Sequence, residues 1–243
     1  MCVNYTPSRK DQMVEKFFAI DRTGNNTANN EWEPEAWQDY AAPFITHDAL
    51  RRRQALRGNY GFIPKSKLPK GKRFSTMNAR AETIGELTSY ARAWRAGQRC
   101  LIPLQNFFEP NYESGASVRW QIGINASADF AVAGLYRTWE EEDGQQSFSF
   151  TQITINADEH PLISRFQQPG DEKRGLVIIP EQDYDDWLDC SNPEMARAFL
   201  QLYPADAMWA KAAPLPKRIS KKSSNAEPSL PLLPSLPIQT SLF

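Results

Sequence analysis

Arg99-Cys100-Leu101-Ile102-Pro103-Leu104-Gln105-Asn106-Phe107-Phe108-Glu109 is followed, after a short polar stretch, by Val118-Arg119-Trp120-Gln121-Ile122-Gly123-Ile124. In the second stretch apolar and polar residues alternate, the period of a strand with one buried face. The first reads as two strands, 99–102 and 105–109. Working outward, 130–136, 148–155 and 175–179 add further apolar strands. Two helices follow, one through Trp187 and one opened by Asn192-Pro193 at the cap and first-turn positions. On the N-terminal side a helix is expected over 82–97. Glu82 and Glu86 suit its positive end, Ile84, Leu87, Ala91 and Trp94 share a face, and Gly97 closes it. Ser8 with Asp11 can cap an earlier helix that carries Met13, Phe17 and Phe18 inward. There is no βαβ alternation and no glycine-rich phosphate loop. The fold expected is α+β: a single domain with a mostly antiparallel sheet or open β-barrel and flanking helices.

The chain of 243 residues, 41% hydrophobic and 23% charged, has enough apolar material for a globular core. No apolar run reaches the roughly 20 residues of a membrane-spanning helix, so no membrane association is expected. Cys2, Cys100 and Cys190 lie far apart with no CxxC pair, and His47 and His160 are the only histidines. That composition argues against a disulfide scaffold and a metal site, and no cofactor is expected. It fits a monomer in a reducing cytoplasm. The last residues, 223–243, are rich in proline and serine and read as a disordered or extended tail behind a domain of 1–222. The asparagine-rich stretch 21–30 reads as a loop.

A net charge of −1 carries no global signal for nucleic acid, but the charge is unevenly placed. Arg51, Arg52, Arg53, Arg57, Lys65, Lys67, Lys70, Lys72 and Arg73 crowd one stretch, while acid collects at 140–143 and 181–189. The basic stretch is either a phosphate-binding face or a solvated loop.

Four places carry chemistry. Cysteine is small enough for an initiator methionine to be removed before it, which would leave Cys2 with an amine and a thiol on neighbouring carbons. The α-amine, with a pKa of about 7.7–8.0, is partly uncharged at neutral pH. Such an aminothiol condenses with an aldehyde to a Schiff base and closes to a thiazolidine. The alternative is an incidental cysteine. Asn78-Ala79-Arg80 offers an amide for a sugar or carbonyl and a guanidinium for a phosphate, or else a helix cap and a surface arginine. Glu109 ends the apolar run Asn106-Phe107-Phe108, where desolvation raises a carboxyl toward the range of a general acid or base, unless it points to water. His160 is either a proton shuttle or a loop histidine.

Taken together these segments resemble the SRAP family, the SOS response-associated peptidase or abasic-site processing proteins. The matching pieces are Met1-Cys2, Gly61-Phe62-Ile63-Pro64, Asn78-Ala79-Arg80-Ala81-Glu82-Thr83, Cys100-Leu101-Ile102-Pro103 leading to Phe108-Glu109, and 154–180. The resemblance implies binding of single-stranded DNA and covalent trapping of abasic sites, in the cytoplasm and at the nucleoid. Cys2 would be the nucleophile that forms the thiazolidine. Asn78 would position the amine or sugar, Arg80 would grip phosphate, and Glu109 would assist condensation and removal of Met1. Lys65, Lys67 and Arg73 would track the DNA backbone, with Tyr60 and Phe62 as exposed aromatics stacking on bases. Three departures stand out. Asn4 replaces a phosphate-contacting arginine, Tyr60-Gly61 stands where Trp-Gly is usual, and the family histidine falls near Arg165-Phe166-Gln167, ahead of an insertion at 168–172. His160, seven residues before Gln167, either takes over that role or the base is missing. Two other functions use the same residues: an N-terminal-cysteine amidohydrolase, and a DNA-binding module without full chemistry.

Overall fold

The computed structural model describes residues 4–9, 17, 32–72 and 74–215. Cys2, Arg73, the loop at 21–30, the tail at 223–243 and most of the first expected helix lie outside the described residues. Among the described residues there are eleven strands: β1 (Asn4–Pro7), β2 (Ala41–His47), β3 (Arg53–Tyr60), β4 (Asn78–Arg80), β5 (Arg99–Asn111), β6 (Val118–Ile124), β7 (Phe130–Glu140), β8 (Gln146–Asn156), β9 (Arg174–Leu176), β10 (Ile178–Ile179) and β11 (Met208–Ala212). The short helices are α1 (Ala91–Arg95), α2 (Tyr184–Asp189) and α3 (Pro193–Ala196). None is long and apolar enough to cross a membrane.

Five strands close on themselves. β2 pairs with β3, β3 with β8, β8 with β7, β7 with β5, and β5 returns to β2 through Ile45 opposite Leu101. All these pairings are antiparallel except β3–β8, so the barrel is mixed. The expected α+β barrel is present, and it is closed. Closure explains the long apolar runs. One face of β5 and β7 puts Cys100, Ile102, Leu104 and Val132 with Phe44 and Phe150 inside the barrel. The other face puts Leu101, Ala131, Ala133 and Leu135 against Trp94 of α1 and Trp187 of α2. Strands buried on both sides lose the alternation that marks a strand with one wet face. The Trp187 indole N–H fastens α2 by donating to the Cys100 carbonyl at 2.9 Å.

The two strands expected at 99–102 and 105–109 are one. The first half of β5 pairs with β7 and the second half with β1 and β6. Pro103 sits at this change of partners, where a missing ladder donor is tolerated. Gly134 of β7 is required by close approach: a Cβ there would lie 2.2 Å from Ile102 Cδ1 and 2.6 Å from the Thr151 carbonyl oxygen.

The helix expected over 82–97 is reduced to Ala91–Arg95, preceded by hydrogen-bonded turns. Asn78–Arg80 is drawn into an extended strand parallel to β8, and Thr83, Gly85, Thr88 and Ser89 favour helix poorly. Ile84, Ala91 and Trp94 are buried as the pattern requires, whereas Leu87 is exposed. Gly97 does close the element, at φ +68°. α2 and α3 match the expected helices, and the Asn192 side chain caps α3 by accepting from the Glu194 and Met195 amides at 2.9 and 3.3 Å.

Candidate active site

Glu109 lies near the end of β5 and is only 2% exposed. The apolar strand that carries it inward also strips its water. Burial therefore pushes its carboxyl up to about 7, a rise that a hydrogen bond from the Gln167 side chain partly opposes. A carboxyl at that value is held in both protonation states near neutral pH, as general acid–base work requires.

The surroundings of Glu109 are built from three segments. β1 runs antiparallel to β5 with Asn4 opposite Phe108, the residue before Glu109. Asn4 is buried and donates to Glu35 at 2.8 Å, and Glu35 also receives Arg119 at 2.6 Å. The Arg119 guanidinium lies 3.3 Å from the centre of the Phe108 ring. On the other side, the turn at 165–167 docks on the strand end. The Gln167 amide donates to the Pro110 carbonyl at 2.7 Å, and the Asn111 side chain donates to the Arg165 carbonyl at 3.0 Å. Gln167 holds φ at +67°, an uncommon conformation for a residue with a side chain.

From Gln167 a charged network leads to Arg80. The Gln167 side chain donates to the Arg174 carbonyl at 2.8 Å and accepts from the Arg174 amide at 3.0 Å. The Arg174 side chain is 1% exposed and binds Glu82 and Glu172, each at 2.7 Å, and the Thr154 carbonyl at 2.8 Å. Arg174 holds Glu172 below the usual carboxylate range. Burial alone would raise Glu82, yet its bonds to Arg174 and to backbone amides keep it lowered too. Glu172 also binds Arg80 at 2.5 Å, so this exposed guanidinium already rests on a carboxylate. Asn78 stands opposite Gln152 in the β4–β8 register. Gln152 accepts from the Tyr60 hydroxyl at 3.0 Å, and Tyr60 in turn meets Tyr5 of β1 edge to face at 5.2 Å.

Several expected site residues lie elsewhere or serve another purpose. Tyr60 and Phe62 are 0% and 1% exposed and belong to the core, so they offer no face for a base. The sequence pattern hid this because the adjoining Gly61 turns the chain inward at φ +134°. His160 is committed on both ring nitrogens: Nδ1 accepts from the Leu162 and Ile163 amides at 3.2 and 3.0 Å, and Nε2 donates to the Tyr203 carbonyl at 2.8 Å. Those partners fix the neutral tautomer and leave no nitrogen open to shuttle a proton. His160 is a loop cap that ties 160–163 to the chain near Tyr203. The basic stretch is largely neutralised, because the acidic clusters fold onto it. Lys65 pairs with Asp39 at 3.0 Å and Lys67 with Glu141 at 2.6 Å. Arg51 pairs with Asp189, Arg52 with Asp48 and Arg53 with Asp185. Arg57, Lys70 and Lys72 have no acidic partner among the described residues.

Gln167, Arg174, Glu35 and Arg119 complete the site without an individual signal in the sequence, apart from the register of Gln167 with the expected histidine. Among the described residues no group of His, Cys, Asp and Glu side chains is placed to hold a metal ion.

Comparison with known proteins places this architecture. The family model described as SOS response associated peptidase (SRAP) matches residues 1–222. The abasic site processing protein YoqW of Bacillus subtilis is 29% identical over 217 residues, covering 86% of this chain and 91% of that protein. The abasic site processing protein HMCES of Rattus norvegicus is 22% identical over 176 residues, covering 60% of this chain and 48% of that protein. A crystal structure of a protein from Bordetella bronchiseptica superposes with a TM-score of 0.77 at 32% identity, covering 88% of this chain and 100% of that one. One from Bacteroides thetaiotaomicron superposes with a TM-score of 0.69 at 20% identity, covering 87% and 91%.

Proposed function

The chain belongs to the SRAP family, and from that premise we propose that it processes abasic sites by trapping them covalently on Cys2 in single-stranded DNA. The observation that carries this reading is the buried Glu109 carboxyl, raised to about 7, on a strand whose neighbouring residue pairs with Asn4. Cys2 is two residues from Asn4 in the sequence. Two extended residues span at most about 7 Å, a length that supports a reach from Asn4 to the Glu109 end of β5 for the Cys2 amine and thiol. The relatives support this substrate: YoqW and HMCES are both named abasic site processing proteins.

The reaction begins once Met1 is gone, a hydrolysis in which Glu109 serves as the base for water. The Cys2 amine adds to the C1′ aldehyde of the ring-opened deoxyribose. Glu109 gives its proton to the carbinolamine hydroxyl, which leaves as water and yields an iminium ion. Glu109 recovers a proton from the Cys2 thiol, and the thiolate adds to the iminium carbon. One water is lost overall, and the product is a neutral thiazolidine. Glu109 alternates between the two protonation states that a value near 7 makes available.

Asn78 orients the amine or the sugar from the start of β4. Arg80 binds a DNA phosphate by exchanging the Glu172 carboxylate for it, a trade between two oxyanions on one guanidinium. Lys65 and Lys67 contribute to the backbone track only by giving up Asp39 and Glu141. Lys70 and Lys72 bring cations with no acid to displace among the described residues. Phe74 is 45% exposed and offers the aromatic face that Tyr60 and Phe62 do not.

The experiment is to incubate the protein with a single-stranded oligonucleotide carrying one abasic site and to resolve the mixture on a denaturing gel. A shifted band is expected for wild type, and none for Cys2→Ala or for undamaged DNA. Wild type that leaves the abasic strand unshifted, with Met1 absent, refutes the trapping chemistry.

A further inference from the structure

Gln167 is held more firmly than a turn residue needs to be. Its φ of +67° is a conformation that glycine or asparagine adopts at less cost, yet the position carries a long, buried side chain. Backbone and side chain are fixed separately. The Gln167 backbone N–H donates to the Pro110 carbonyl at 2.7 Å, and Lys173 Nζ donates to the Gln167 and Gln168 carbonyls at 3.4 and 2.7 Å. The side chain forms a two-bond pair with the backbone of Arg174 in β9. Nε2 donates to the Arg174 carbonyl at 2.8 Å, and Oε1 accepts from the Arg174 N–H at 3.0 Å.

That pair decides which way the amide faces. A carboxamide carries one oxygen and two N–H groups. A flipped amide would set its nitrogen against the Arg174 N–H and its oxygen against the Arg174 carbonyl, losing both bonds. Arg174 therefore takes the oxygen and one N–H, and the second N–H goes to the Glu109 carboxyl. Glu109 is met from this side by a donor and never by an acceptor. The oxygen that accepts this N–H is the carbonyl oxygen of the protonated carboxyl, so the proton sits on the other one. Charged groups on the neighbouring elements are engaged with one another. Arg119 of β6 binds Glu35 at 2.6 Å, Arg165 binds Glu113 at 2.9 Å, and Arg174 binds Glu82 and Glu172 at 2.7 Å. The reaction proposed above adds the Cys2 amine to these.

Resting on the abasic-site reading, we propose that Gln167 is the positioning residue of Glu109: its locked N–H holds one carboxyl oxygen and leaves the other to move protons. That second oxygen gives its proton to the carbinolamine hydroxyl and takes the next from the Cys2 thiol. Gln167 itself neither gains nor loses a proton. A donor of this kind favours the ionised carboxyl, so its removal disfavours ionisation.

The test compares wild type with Gln167→Met, which keeps the length of the side chain and removes the amide. Two readouts are taken on the full chain. One is the titration of the Glu109 carboxyl by carbon NMR, its signal assigned by its loss in Glu109→Gln. The other is the pH dependence of crosslinking to a single-stranded abasic oligonucleotide. In Gln167→Met both midpoints should rise by about one to two pH units, the worth of a hydrogen bond to a charged group. A slower reaction with unmoved midpoints would give Gln167 a structural part alone and overturn the proposal. If the variant does not fold, the wild-type spectrum decides. The Gln167 side-chain N–H signals should shift with the midpoint of Glu109, and signals that do not titrate overturn the proposal. Wild type that forms no adduct refutes the trapping reading instead, and the carboxyl titration, which needs no DNA, still decides the part played by Gln167.

Discussion

Replacing Glu109 by Gln should make the protein more stable and less active, and the size of the first effect follows from the structure. The Glu109 carboxyl is fully buried and raised from 4.5 to about 7. At about 1.4 kcal/mol for each tenfold change, that difference is on the order of 3 kcal/mol. The sign is set by which state holds the proton. Below pH 4.5 the carboxyl is protonated in both states and contributes no penalty. Between 4.5 and about 7 the unfolded chain releases its proton while the folded protein keeps it, so stability falls as pH rises. Above about 7 the full penalty is present. Gln is neutral throughout, close in shape, and still accepts from Gln167. Glu109→Gln should therefore match wild type near pH 4.5 and exceed it at pH 8 by up to about 3 kcal/mol, which for a chain of this size is roughly 6–12 °C in melting temperature. Thermal melts of both proteins across that pH range are the assay, with crosslinking rate on abasic oligonucleotide measured on the same samples. The rate should fall by about 10²–10⁴, the usual worth of a positioned acid–base group. A melting-temperature difference that stays flat from pH 4.5 to 8 would refute the assignment of Glu109 as a desolvated carboxyl.

Other changes test the neighbouring parts. Arg174→Met leaves Glu82 and Glu172 without their buried partner, and chemical denaturation should show a loss of roughly 3 kcal/mol. Glu172→Gln removes the carboxylate that competes with phosphate for Arg80, and fluorescence anisotropy should show about threefold tighter binding of undamaged single strands at low salt. Gly134→Ala forces a Cβ against Ile102 and the Thr151 carbonyl and should cost about 2–3 kcal/mol in denaturant melts. Phe74→Ala should weaken single-strand binding by about 1–3 kcal/mol in the same anisotropy assay. Tyr60→Phe should leave it unchanged and cost about 1 kcal/mol of stability through the lost bond to Gln152.

Strands β5 to β8 were legible because their chemistry is local. The alternation over Val118–Ile124 and the apolar runs that became β7 and β8 identify themselves without a partner. β2, β3 and β11 carried no comparable pattern. β3 in particular reads Arg53-Gln54-Ala55-Leu56-Arg57-Gly58-Asn59-Tyr60, and its arginines disguise a strand whose Arg53 is met by Asp185 across the fold. Pairing of charges more than a hundred residues apart is a tertiary fact, which is also why the basic stretch looked like an open phosphate track. Glu109 was readable from its apolar neighbours, since burial of a strand end depends on the strand itself. His160 was not, because its role is decided by the Leu162 and Ile163 amides and the Tyr203 carbonyl, none of which a residue type announces. The helix expected over 82–97 is cut to Ala91–Arg95: its apolar spacing is real, but Thr83, Gly85, Thr88 and Ser89 favour helix poorly and leave one helical turn.

The proposed function rests on the N-terminal aminothiol making the bond to damaged DNA. The most direct measurement is intact-mass and peptide mass spectrometry of the product formed with an abasic oligonucleotide, after nuclease digestion and without borohydride reduction. A first peptide that begins at Cys2 and carries the sugar remnant with the loss of one water is expected. A modified peptide that still begins at Met1, or an adduct on a lysine with Cys2 unmodified, would contradict it.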